Sequence, residues 1–167
     1  MDELYVRKLP RWRLTGSEPR VPATQGLPDE RVLALRDTET DRAATGPVWL
    51  ADPGIAQMVR DRIMRLADIL YDLAVWVIPA YQVYRIILPK IPSREIMPKL
   101  KGARAYTANQ VLGRTGPFWY DESYDHWIRS EARFNRVIRS VGRNPVKAGL
   151  VVSIEHWQWS SARSRTG

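Results

Sequence analysis

The sequence predicts an α+β fold, because segments with helical periodicity flank two adjacent segments with strand composition. Between residues 52 and 70, apolar side chains recur at three- and four-residue steps, as on the buried face of a helix. The segments 73–78 and 83–88 are rich in β-branched and aromatic residues, which favour strands. A further helical pattern occupies residues 130–143.

The first part of the chain lacks such patterns. Residues 1–28 contain Pro10, Pro19, Pro22 and Pro28, a density that interrupts any long helix or strand. We therefore expect an irregular N-terminal arm over residues 1–46, compatible with a short helix at 28–35, then a domain over 47–163 and a tail over 164–167.

Local signals define the central elements. Asp52 followed by Pro53 is typical of a helix N-cap and first turn. The two strand segments are separated by Pro79 and Ala80, so a hairpin is the simplest arrangement. A helix beginning at Ser93 and ending at Gly113 comes next, although it contains Pro98.

The C-terminal third of the sequence predicts a further helix, a one-turn helix and a final segment that closes the core. Ser130 can cap the helix over residues 130–143, and residues 144–149 resemble a one-turn helix that stops at Gly149. We expect Trp157 and Trp159 to close the core.

Composition excludes several kinds of site. The chain has no cysteine and only two histidines, so it offers no disulfide, thiolate metal site or pair of neighbouring histidine ligands. The longest apolar run, over residues 73–81, is interrupted by Pro79 and is too short to span a membrane. No signal-peptide pattern occurs at the N-terminus, so a cytoplasmic location is expected.

The excess of positive over negative charge is confined to the second half of the chain. Residues 1–84 carry 11 Lys and Arg against 12 Asp and Glu, whereas residues 85–167 carry 15 against 6. Such asymmetry is typical of a surface that binds nucleic acid, because neutralised phosphates release counterions. A solvated basic face or binding to acidic lipid are the alternatives.

Six short segments, in this order, carry a resemblance to a known family. They are WLADP (49–53), VWVI (75–78), GPFW (116–119), YDHWIR (124–129), NPVKAGLV (144–151) and WQWSSA (157–162). Together they resemble the REP-associated tyrosine transposases of bacteria, a branch of the single-tyrosine insertion-sequence transposases. The segment 9–14 also resembles the opening of that family, ahead of its first strand.

The resemblance implies a ferredoxin-like antiparallel sheet with helices packed on one face. It also implies binding of single-stranded or hairpin DNA, and transposition by cleavage and rejoining of single strands. In that family a His–hydrophobe–His motif on a central strand helps to hold Mg²⁺ or Mn²⁺, and a helical tyrosine attacks the phosphate. A nucleoid-associated protein is implied, and a homodimer is left open.

The residues at the catalytic positions differ in this chain. Aligned without gaps, the two histidine positions fall on Gln82 and Tyr84, and the nucleophile position falls on Ser140. An amide and a phenol are poor substitutes for neutral imidazole, so we expect no tightly bound metal. Asn144 keeps the third ligand position, but a serine without a base is a poor nucleophile. The resemblance therefore predicts DNA binding with impaired catalysis.

The first strand of the family also differs. Its position matches residues 17–24, which contain Pro19 and Pro22, and proline cannot donate to a central ladder. We therefore expect this strand to be degenerate, frayed or at an edge.

Basic and aromatic side chains in the second half are candidates for DNA contact. The aromatic candidates for base stacking are Trp119, Tyr120 and Trp127. His126 beside Asp125 is more simply a structural residue, because neighbours on an extended segment face opposite sides. The candidates for phosphate contact are Lys99, Lys101, Arg104, Arg129, Arg133, Arg136, Arg143 and Lys147.

Three hypotheses follow from the sequence. The first is a DNA-binding protein that lacks the ordinary cleavage activity. The second is an active metal-dependent single-strand endonuclease and strand transferase with atypical ligands, using Tyr84 or Ser140. The third is a decayed remnant without a selected activity, suggested by the broken first strand.

Overall fold

The computed structural model describes residues 7–16, 46–121, 124–147 and 149–162, with the side chains of 7–11, 103–104 and 124–126 excepted. Two sequence predictions lie outside these residues, namely the short helix at 28–35 and the degenerate strand at 17–24. Everything below concerns the described part of the chain.

The described strands form one antiparallel sheet of four strands. They are β1 (Arg7–Arg13), β2 (Tyr71–Val77), β3 (Gln82–Pro89) and β4 (Tyr124–Ile128), in the spatial order β2-β3-β1-β4. The predicted hairpin of β2 and β3 is confirmed, with Val77 opposite Tyr84. The helices α1 (Pro53–Leu66) and α2 (Ser93–Val111) each join two strands, which gives the β-α-β-β-α-β order of a split βαβ unit. The α+β prediction is therefore confirmed.

Residues 7–13 form a strand, whereas the sequence predicted an irregular arm there. The segment that was expected to precede the first strand is itself β1, and β1 lies between β3 and β4 inside the sheet. The prolines of the arm suggested a break, but β1 contains only Pro10, opposite Asp125 of β4. On the β3 side the register pairs Lys8 with Ile87 and resumes at Arg11 opposite Tyr84, so the pairing skips the position where proline lacks an N–H.

The start of α1 follows the sequence prediction. The Asp52 carboxylate accepts hydrogen bonds from the backbone N–H groups of Gly54 (2.9 Å) and Ile55 (3.1 Å), and Pro53 occupies the first turn. The buried face carries Ile55, Ala56, Val59 and Ile63, as the periodicity predicts.

We expect Asp52→Ala to lower the free energy of unfolding by about 0.5–2 kcal/mol, because two backbone donors lose their acceptor. Urea denaturation followed by circular dichroism measures this change. Asp52→Asn retains an acceptor oxygen and should remain close to the parent protein. An equal loss in both variants would show that the charge, rather than the cap, is responsible.

The helix α2 begins one residue earlier than a Ser93 cap requires. Pro92 is the N-cap residue and Ser93 the first residue of the helix, without a capping hydrogen bond from its side chain. Pro98 is retained inside the helix, and Gly113 follows its end with a positive φ of 63°. The glycine stop is therefore confirmed.

The helices lie on both faces of the sheet, which corrects the prediction of one covered face. Val83 and Ile87 of β3 pack with α1 and α2 in the larger core cluster. Tyr84 and Ile86 of the same strand pack in a second cluster with Val141. Alternate strand residues face opposite sides of the sheet, so the second cluster lies on the other face. Val141 belongs to the helix α3 (Glu131–Gly142), and this helix therefore covers that face. Its cap is as predicted, since Ser130 Oγ accepts from the N–H of Arg133 (3.2 Å).

A charged side chain lies inside the larger cluster. Arg85 is 0% exposed, and its guanidinium carbon lies 4.5 Å from the Tyr71 ring centroid and 5.2 Å from that of Trp12. The Tyr71 hydroxyl donates to the carbonyl of Ile63 (2.7 Å). Burial raises the pKa of Tyr71, and the nearby Arg85 charge partly opposes this effect. The buried cation is therefore held between aromatic faces.

The C-terminal segment covers the free edge of β2. The N–H of Ser161 donates to Trp76 O (2.9 Å), and the N–H of Ile78 donates to Trp159 O (2.9 Å). Trp159 is buried in the larger cluster, as predicted. None of the helices in the described ranges combines the length and hydrophobicity needed to cross a membrane.

Candidate nucleic-acid interface

The two positions aligned with the family's histidine ligands are both buried on β3. Gln82 and Tyr84 are 2% and 3% exposed and lie two residues apart on β3, hence on the same face. Tyr84 packs in the apolar cluster that contains Val141 of α3. An apolar covering at Tyr84 leaves its phenol poorly placed to receive a phosphate or an ion.

An arginine side chain occupies the place beside Gln82 where a metal ion would have to bind. Arg13 lies directly opposite Gln82 in the register of β1 and β3, and its Nη2 atom donates to Gln82 Oε1 across 3.3 Å. The amide oxygen at the first ligand position therefore faces a permanent positive charge. Gln82 and Tyr84 do not fit a divalent metal ion. Within the described ranges, no group of three or more histidines and carboxylates has the spacing of a metal site.

The nucleophile position lies on the outside of α3. Ser140 is exposed in the last turns of the helix, just before the buried Val141, and Asn144 is half-buried at the start of the one-turn helix α4 (Asn144–Lys147). In the part of the chain that the structure describes, the Ser140 hydroxyl forms no hydrogen bond with a histidine or a carboxylate. Among the described side chains, none is a base positioned to activate this hydroxyl.

The exposed side of α3 carries a row of arginines. Arg136, Arg139 and Arg143 are all exposed and follow one another at three- and four-residue steps, which places them on one side of the helix. Arg129 and Lys147 are exposed at either end, and Arg133 is half-buried. Sequence analysis missed Arg139, although its spacing from Arg136 and Arg143 is the signal that could have found it. We call Arg136, Arg139 and Arg143 the arginine face.

The remaining predicted cations are on α2, across the sheet from the arginine face. Lys99 is exposed, and the side chain of Arg104 lies outside the described part of the chain. Lys101 Nζ donates to the carbonyls of Tyr120 (2.9 Å) and Asp121 (3.3 Å), and burial lowers its pKa. The Lys101 side chain therefore binds the segment that connects α2 to β4. The structure does not bring the predicted cations together on one surface.

The aromatic candidates are separated as well. Trp119 packs against the larger core, with its ring centroid 6.0 Å from that of Trp12 and 4.8 Å from that of Phe118. Tyr120 is half-buried, whereas Trp127 on β4 is 41% exposed. Trp119 is thus a core residue. The side chains of Asp125 and His126 lie outside the described residues.

Comparison with solved structures identifies the fold. A REP-associated tyrosine transposase bound to a REP hairpin superposes with a TM-score of 0.61 and 17% sequence identity, over 96% of this chain and 79% of that chain. A "putative transposase" from Deinococcus radiodurans R1 superposes with a TM-score of 0.44 and 15% identity, over 86% of this chain and 95% of that chain. No protein-family model and no curated protein matches the sequence. The chain therefore has a transposase-like fold.

Proposed function

We propose that this chain binds single-stranded or hairpin DNA through the arginine face of α3 and does not cleave it by two-histidine, tyrosine chemistry. The observation that carries the proposal is the arrangement of Arg136, Arg139 and Arg143. Guanidinium groups bind phosphate through paired N–H donors, and such contacts release counterions from DNA. The site of action would be the nucleoid in the cytoplasm.

The similar fold supports a hairpin as the form of DNA. The transposase with a TM-score of 0.61 is bound to a REP hairpin. A hairpin offers closely spaced phosphates on a short duplex, which a helix about 18 Å long, such as the 12-residue α3, can follow.

The absence of cleavage follows from three side chains. Gln82 and Tyr84 replace imidazoles and are buried, so no metal ion is held to polarise a phosphate. Ser140 replaces the phenol and lacks an activating base in the described structure. Loss of the metal and of the nucleophile together removes both parts of the cleavage reaction.

Gel-shift titration of a labelled REP-like hairpin tests the binding proposal. We expect a shifted complex whose affinity falls steeply between about 50 and 200 mM salt, because the contacts are to phosphates. An unstructured protein, revealed by a melt without cooperativity, would support the decayed remnant instead. A folded protein that leaves the hairpin unshifted at low salt would contradict the proposed function.

Ser140→Tyr is expected to remain inactive, although it restores a phenol at the nucleophile position. Without imidazoles at positions 82 and 84, no metal ion is held there to activate the phosphate for attack. A denaturing gel of labelled hairpin incubated with Mn²⁺ should therefore show no covalent adduct. Ser140→Phe is the control of similar size. An adduct that forms with tyrosine but not with phenylalanine would show that the impairment lies at the nucleophile alone.

A further inference from the structure

We propose that Arg13, held against Gln82, is a phosphate-binding residue on the sheet that takes the place of a metal ion and makes DNA binding independent of divalent cations. This inference rests on the proposed function, since it names a second point of DNA contact. It concerns β1 and β3, whereas the arginine face belongs to α3.

The first step is the placement of Arg13. It lies directly opposite Gln82 on the neighbouring strand, and Trp12 and Leu14 on either side of it are buried in the larger cluster with α1 and α2. Because strand residues alternate between faces, Arg13 lies on the same face as Gln82 and Tyr84. The backbone register also sets Arg11 opposite Tyr84. Each of the two ligand positions thus has an arginine as its cross-strand neighbour.

The second step is the orientation of the guanidinium. Gln82 is almost fully buried, and its Oε1 atom accepts the bond from Arg13 Nη2, while Arg13 itself is half-buried. A planar guanidinium held against a buried amide has a defined direction and loses less rotamer entropy when it binds an anion. A buried amide of this kind is well suited to position a charged group.

The third step compares a divalent metal ion with the Arg13 guanidinium as the cation beside Gln82. A divalent ion at this place would have to share the Gln82 oxygen with a guanidinium 3.3 Å away, which repels it. The guanidinium supplies a permanent charge that needs no deprotonated ligands and does not dissociate. It can bind a phosphate oxygen, but it cannot generate the metal-activated chemistry. Binding is therefore retained and cleavage is not.

The test is a hairpin titration in EDTA and in Mg²⁺, at several salt concentrations, with the full chain. The parent protein should bind equally well in both solutions. Arg13→Gln should weaken binding about tenfold and reduce the slope of log K against log salt by about one. Gln82→Glu, which would pair with Arg13 and repel phosphate, should weaken binding by a similar factor. Arg65→Gln, an exposed arginine on α1 across the sheet, is the control for charge and should bind like the parent.

The outcomes separate this inference from the proposed function. If the parent protein binds no hairpin, the proposed function fails. If it binds but Arg13→Gln, with a melt like that of the parent, has the same affinity and salt slope as Arg65→Gln, only the Arg13 inference fails. If Arg13→Gln does not fold, the parent protein still tests the inference. A loss of its hairpin affinity greater than tenfold in EDTA, compared with Mg²⁺, would contradict the inference.

Discussion

Replacing Arg136, Arg139 and Arg143 together by glutamine is expected to weaken hairpin binding by about 100-fold or more at moderate salt. Each arginine is exposed on the same side of α3, and each can neutralise one phosphate. Three lost phosphate contacts should also reduce the salt slope by about two to three. Glutamine has a helix propensity close to that of arginine and remains polar, so the fold should be unaffected.

The control changes the same charge on the opposite side of the sheet. Arg60, Arg65 and Arg94 lie on α1 and α2, and their joint replacement by glutamine should leave most of the affinity. Gel-shift titrations of both triple variants at three salt concentrations give affinities and slopes. Equal losses in the two variants would show that binding follows net charge rather than the arginine face.

Arg85→Ala is expected to lower the free energy of unfolding by about 3–5 kcal/mol. The side chain is completely buried and lies against the rings of Tyr71 and Trp12, so alanine removes these contacts and leaves a cavity. Losses of this size are a large part of the stability of a domain. Urea denaturation measured by tryptophan fluorescence detects the change.

Arg85→Met is the matched variant, because it keeps a long unbranched chain but has no guanidinium and carries no charge. Methionine fills most of the cavity that alanine leaves, so it should recover more than half of the loss, and the remainder measures what the guanidinium contributes. If methionine were as destabilising as alanine, the guanidinium contacts with Tyr71 and Trp12 would account for the whole loss, and the explanation by a cavity would be wrong.

Elements with local signals could be predicted from the sequence. The start of α1 is encoded by Asp52 and Pro53, and the β2–β3 hairpin by two apolar segments around Pro79. In both cases the determining residues are neighbours in the chain. The short range of capping and turn interactions explains why these predictions are confirmed.

Elements that depend on distant partners could not be predicted in this way. Pro10 indicated an irregular segment, yet β1 is held inside the sheet because strands on both sides pair with it. The periodicity of residues 130–143 indicates a buried helix face but not which face of the sheet it covers. Tertiary contacts decide both matters.

The candidate site shows the same division. Gln82, Tyr84 and Ser140 are predicted from the alignment of short motifs. The cross-strand neighbour of Gln82 is Arg13, which is 69 residues away in the chain. Lys101 likewise carried a phosphate prediction, but its long side chain reaches the connector carbonyls of Tyr120 and Asp121. Cross-strand register and side-chain reach are properties of the folded chain.

Incubation of the unmodified protein with a labelled REP-like hairpin and Mn²⁺ or Mg²⁺, analysed in parallel on native and denaturing gels, is the most direct test. The account predicts a shifted complex on the native gel and intact, unattached DNA on the denaturing gel. Nicked strands or a protein–DNA adduct stable to denaturant would contradict it.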